Sequence, residues 1–205
     1  LWTIAVIIIA GTLGIPVTSL VAVLSVAGVA LSLALQGLLS NLFSGITLLT
    51  THPFKVGDYV EISGQSGTVK SIGLFYTGLA TVDNRMINAP NGSVTSGQIV
   101  NFSAEDLRRV IISVTASYDS ATEDDRAACL DAIGMIDKAL SDPPPFAAIS
   151  SYGSSSIEYT VRTWCKTEDY WDVYFALNEN LRTCFEKHGV EMCYDHLNVH
   201  LVNDK

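Results

Sequence analysis

The sequence predicts a membrane protein of mixed α and α+β class: an apolar transmembrane helix with a kink, a small β-barrel domain, an α+β domain, and a closing strand. Three observations carry this. No Asp, Glu, Lys or Arg occurs before Lys55. Residues 53–103 break into short apolar runs separated by Gly, Asn and Asp, the pattern of a small all-β unit. After Asn101 the periodicity alternates strand, helix, strand, helix. The 205 residues have a mean hydropathy of +0.32 and a net charge of -9. That average conceals a sharp division, because residues 104–205 hold nine basic and eighteen acidic side chains while residues 53–103 hold three of each.

The first apolar run, "LWTIAVIIIAGTL", is too short to cross a ~30 Å hydrocarbon core alone and reads as the end of a preceding helix in a longer chain. Gly11, Gly14 and Pro16 then predict a turn. The next stretch, from Pro16 to Gly37, has the length of one bilayer crossing at 1.5 Å per residue. Beyond Gly37 the helical pattern resumes (Leu38, Leu42, Leu49 and Leu39, Phe43, Ile46), so a kink is expected there, followed by an interfacial helix. The expected divisions are residues 1–15, 16–52, 53–103 and 104–194, with residues 195–205, containing "LNVHLV", as a terminal strand. Between the strands and helices of the last half, "SDPPPFAAISSYGSSS" reads as a linker.

At 100° per residue, Ala22, Ser25, Val29, Leu33 and Gln36 fall within about 40° of one line along the helix. Gly28 and Ser32 flank that line on one side, Val26 and Ala30 on the other, and Leu20, Leu24, Leu31 and Leu35 take the far face. Small flanking residues permit close helix approach in lipid. Two readings follow: an ordinary packed helix of a small bundle, or a ring of identical helices whose axis carries Val29 and Leu33 as a hydrophobic constriction.

The stretch "AVLSVAGVALSLALQGLLSNLFSGITLLTTHPFKVGDYVEI", followed by "PNGSVTSGQIVNFS", resembles the bacterial small-conductance mechanosensitive channel family, densely so in "ALQG..SN....G" and "PNG......I.N.S". The resemblance implies a homoheptamer in the inner (plasma) membrane, multi-pass, with its C-terminal domains in the cytoplasm. It implies a pore that opens under membrane tension in hypo-osmotic shock and releases ions and small solutes. It places Val29 and Leu33 at the two constricting rings, and the stripe they share then puts Ala22, Ser25 and Gln36 along the pore. Gly28, Ala30 and Ser32 fall at helix contacts, and Gly37 at the kink, with Asn41 after it as part of the hinge. The amides of Gln36 and Asn41 are then expected to bond backbone groups freed at the kink. The family's usual residues are glycine where this chain has Ser25 and Ser32, and leucine where it has Val29. A membrane-anchored oligomeric scaffold whose soluble domains bind a partner is the alternative from another class.

Other chemistries have little support in the residues. A net acidic chain without a basic stripe is not built for nucleic acid. Cys129, Cys165, Cys184 and Cys193 form no CxxC pair, and Cys184, His188, Cys193 and His196 have no spacing typical of a zinc site, so no metal, cofactor or catalytic residue is expected. His188 before Gly189 reads as a helix end. "TEDD" at Thr122–Asp125 reads as an exposed N-terminal helix cap. Trp164, Tyr170 and Trp171 read as core or interface anchors.

Overall fold

The computed structural model describes residues 2–14 and 17–194, which fall into two compact units divided between Ala104 and Glu105. Pro16, His196 and the expected strand "LNVHLV" lie outside the described residues.

The first unit begins with helix α1 (Trp2–Thr12) and the 35-residue helix α2 (Val17–Thr51). At Gly14 the chain adopts φ +75°, a left-handed conformation that glycine takes without a Cβ penalty. A five-stranded antiparallel sheet follows, formed by β1 (Tyr59–Ile62), β2 (Gln65–Ile72), β3 (Tyr76–Ala80), β4 (Met86–Pro90) and β5 (Ile99–Asn101) in the order β4-β3-β2-β1-β5. Strands β1 and β2 meet through Ser63 and Gly64, at φ 50° and 77°. Two positive φ values in a two-residue loop match the right-handed twist of the strands they join. The short helix α3 (Asn91–Ser96) connects β4 to β5. Leu48 of α2 and Val94 of α3 share one buried cluster with Phe54, Val60, Ile62, Val69 and Leu79. The end of the long helix is thereby part of the β unit's core, and burying each such side chain stabilises by roughly 1.5–3 kcal/mol.

The second unit is a three-stranded antiparallel sheet of order β6-β8-β7, from β6 (Leu107–Ala116), β7 (Phe146–Tyr152) and β8 (Ile157–Lys166). Helices α4 (Thr122–Gly134) and α5 (Tyr170–His188) share its core, where Val110, Ile112, Tyr159 and Val161 meet Ala128, Ala132, Leu177 and Leu181. Strand β8 occupies the centre because "IEYTVRTWC" alternates its inward positions Ile157, Tyr159, Val161, Thr163 and Cys165, all buried.

Two expectations are corrected. The supposed linker contains β7, which pairs with β8 from Phe146↔Arg162 to Tyr152↔Ile157. Its alanines and serines, and the register shift between Ile149 and Ser151, obscure the period-2 pattern, and an edge strand needs less apolar side chain than a central one. The acidic turn of α4 is not wholly exposed either. Asp125 is completely buried and accepts a hydrogen bond from Tyr159 Oη at 2.7 Å, while the N-cap is Ala121 with no side-chain capping bond. Burial first, and that bond second, push the Tyr159 hydroxyl up to about 12.

Helix α5 ends at Gly189, at φ 67°, where Val190 N donates to Phe185 O (2.9 Å), as expected of a glycine C-cap. His188 and Lys187 both approach Asp131 of α4, at 2.9 and 3.8 Å. The His188 hydrogen bond, followed by the Lys187 charge, holds the Asp131 carboxyl below its ordinary range. A depressed folded-state value stabilises above the unfolded value near 4, and that contribution disappears as pH falls through the folded value. Asp131→Asn is therefore expected to lower the thermal midpoint near pH ~5 and to match wild type near pH ~2. Equal loss at both values, read by a pH series of melting curves, would contradict the linkage.

Candidate functional site

Helix α2 is about 52 Å long at 1.5 Å per residue and carries no formal charge. Its most apolar stretch is long and hydrophobic enough to cross a membrane, and none of that stretch is buried. Val29 and Leu33 are 61% and 67% exposed, and together with Ser25, Val26 and Ala30 they line one shallow apolar concavity. Such a surface on a single chain is a docking or lipid-facing surface, because water alone would disfavour it. Ser25 Oγ donates to Val21 O at 2.8 Å, satisfying the hydroxyl within its own helix. Ala22, Gly28, Ser32 and Gln36 are also exposed, and a Cβ at Gly28 or Gly37 would meet nothing within 4 Å.

The helix runs unbroken through Gly37, so the two helices expected on either side of it are one element. The Asn41 amide is bonded at both ends. Nδ2 donates to Gly37 O at 2.9 Å, and Oδ1 accepts from Gly92 N at 2.8 Å. One side chain thus ties the turn after Gly37 to the first turn of α3. Three residues on, Thr95 Oγ1 donates to Ser44 Oγ (2.8 Å).

Gly45, one turn below Asn41, is buried, and a Cβ there would overlap Leu74 O and come within 2.6 Å of Asn91 Nδ2. The β2–β3 connection can approach α2 this closely because the helix has no side chain at that point. Asn91 is itself fully buried: its Oδ1 accepts from Thr77 Oγ1, its Nδ2 donates to Gly73 O, and its backbone N donates to Phe75 O, each at 2.9 Å. Leu48 completes the seat within the core.

Sequence reasoning singled out Asn41 but assigned no role to its partner Gly92, nor to the neighbouring pairs Ser44 with Thr95 and Gly45 with Asn91. The spacing of Gly37, Asn41 and Gly45, one helical turn apart, was a signal of a single contact face. The partners lie about fifty residues away, where no local periodicity points to them.

Among the described residues no group of His, Cys, Asp and Glu is arranged to hold a metal. The Cys129 thiol is pushed up to about 12 by burial and by nearby Asp125, which keeps it protonated and unreactive. In the second unit, Lys138 Nζ bridges Asp169 (2.7 Å) and Asp172 (2.6 Å), and these bonds raise its pKa. Trp171 is 57% exposed, so it is not a core anchor.

Three family models cover nearly the whole chain. Residues 1–36 match "Mechanosensitive ion channel, transmembrane helices 2/3", 37–104 "Mechanosensitive ion channel, beta-domain", and 109–192 "Mechanosensitive ion channel MscS, C-terminal". A small-conductance mechanosensitive channel of Helicobacter pylori is 35% identical over 96% of this chain and 72% of its own length. The chain belongs to the small-conductance mechanosensitive channel family. A family member from Edwardsiella ictaluri is 37% identical over 85% of this chain, which spans 61% of that relative's length. The crystal structure of Helicobacter pylori MscS, described as a closed state, superposes with a TM-score of 0.92 at 35% identity, covering 98% of this chain and 80% of that one. Arabidopsis thaliana MSL1 shares the fold, with a TM-score of 0.80 at 23% identity over 95% of this chain and 72% of its own. The described residues contribute to that likeness one helix, α2, with the length and apolar composition of a membrane span.

Proposed function

We propose that this chain is the pore-forming subunit of a tension-gated channel, a homo-oligomer of seven copies in the inner membrane with both soluble units in the cytoplasm. Its α2 helices surround the conducting path, and Val29 and Leu33 form two aliphatic rings that exclude water and ions until the ring widens. Ala22, Ser25 and Gln36 line the same path, while Gly28, Ala30 and Ser32 let neighbouring helices slide closely. Gly37 and Asn41 form the hinge through which the lower part of α2, seated on the β unit, changes its angle to the upper part. Ions and small solutes pass when membrane tension favours the wider state.

The observation that carries this reading is the division of α2. Its upper part presents an uncharged, exposed aliphatic stripe with no partner inside the described chain, and its lower part is fixed by Asn41, Gly45 and Leu48. A pressure ramp on patches of the full-length protein in liposomes tests it. Stretch-activated currents are expected, and in Leu33→Ser they should appear at a clearly lower pressure because a hydroxyl ring wets more readily than a leucine ring. Currents with an unchanged threshold would remove Leu33 from the constriction. Silence in both proteins would favour the scaffold reading.

A further inference from the structure

The face of the second unit's sheet opposite α4 and α5 carries an unusual pair of cations. On β6, Arg109 pairs directly with Trp164 of β8, and on β8, Arg162 pairs with Phe146 of β7. Residues 162 and 164 share one face of β8, so the two arginines are diagonal neighbours, ~7–8 Å apart at the backbone. The Arg109 guanidinium lies 5.7 Å from the Trp164 ring centre and the Arg162 guanidinium 5.5 Å from that of Phe146. With Pro144 these four side chains line a concave space of about 210 Å³.

Neither arginine forms an ion pair among the described residues, whereas Arg85, Lys138, Lys166 and Lys187 each do. The three strands contain one carboxylate, Glu158, whose Oε2 already accepts from Ser151 Oγ at 2.7 Å. Arg162 Nε donates to Thr160 Oγ1 at 3.3 Å, which leaves its terminal nitrogens for another acceptor. Two like charges converging on one hollow in an acidic chain repel each other unless an anion lies between them.

We propose that this hollow binds a small organic carboxylate with a flat or apolar body. The guanidinium groups supply the paired N–H donors that match a carboxylate. Trp164, Phe146 and Pro144 supply apolar walls, and these favour a weakly hydrated monoanion over a phosphate dianion. The hollow is too small for a folded segment, which points to a free solute.

Isothermal titration of the full-length protein in detergent with benzoate, its neutral isostere benzamide, and inorganic phosphate tests the site. Saturable benzoate binding at one equivalent per chain is expected, with phosphate and benzamide at least tenfold weaker. Arg109→Gln, an exposed position that does not endanger folding, and Arg162→Gln should each weaken benzoate at least tenfold. Absence of saturable benzoate binding, equal binding of benzamide, tighter binding of phosphate, or persistence in the double variant would each overturn the proposal. So would a smaller particle by light scattering in Arg109→Gln, since the hollow would then hold an acidic side chain of a second copy.

Discussion

Gly45→Ala is expected to destabilise the first unit, although alanine is the better helix former by ~1 kcal/mol. The new methyl would meet the Leu74 carbonyl and Asn91 Nδ2, neither of which is the end of a flexible side chain free to rotate away. Overpacking against backbone costs ~1–3 kcal/mol or more, so the clash outweighs the propensity gain. The same substitution at Gly37 meets nothing within 4 Å and should show the propensity gain alone within one chain. Thermal melts of the two variants side by side give opposite signs if α2 is seated as described. A Gly45→Ala protein as stable as Gly37→Ala would show that the seat is looser than these contacts require. In the pressure-ramp experiment, Gly45→Ala should also disturb closing, because it loosens the lower helix from the β unit that anchors it.

The second large effect is at Asn91. Replacing it with alanine leaves the Thr77 hydroxyl and the Gly73 carbonyl without the amide that pairs them, and Thr77 is fully buried. The buried Thr77 hydroxyl costs about 1–3 kcal/mol as an orphan, while Gly73 is exposed and water can serve its carbonyl, so the loss is still a substantial share of a domain's stability. A melting point lower by roughly 5 °C or more is the expected result. Adding Thr77→Val to Asn91→Ala removes one orphan and should recover part of the loss. If the double variant is no better than the single one, Asn91 acts through shape rather than through its hydrogen bonds.

These contacts also mark where the sequence was readable. The uncharged run before Lys55 announced α2, since nothing but an apolar environment or a partner tolerates so long an exposed aliphatic surface. Helix α5 and strand β8 were equally plain because their inward positions follow a single period. Strand β7 was hidden by its serines and alanines, whose role is supplied by pairing with β8 rather than by their own hydrophobicity. Asp125 was misread because a carboxylate in the first turn of a helix is ordinarily solvated. Here its acceptor is used by Tyr159, thirty-four residues later. Asn91 and Gly45 escaped for the same reason: their value lies in a partner distant in the chain, and a single sequence encodes only the neighbours of each residue.

The four cysteines have a practical consequence for spectroscopy. Cys129, Cys165 and Cys184 are all buried, and burial raises each thiol's pKa, while Cys193 is partly exposed. Maleimides and methanethiosulfonates react with accessible thiolates, so three of the four native sulfurs are shielded from them. A background carrying Cys193→Ser therefore accepts a spin label or fluorophore at one chosen exposed position while the buried sulfurs stay in place. In the proposed ring of copies, labels at position 33 would measure the separations between them as a distance distribution.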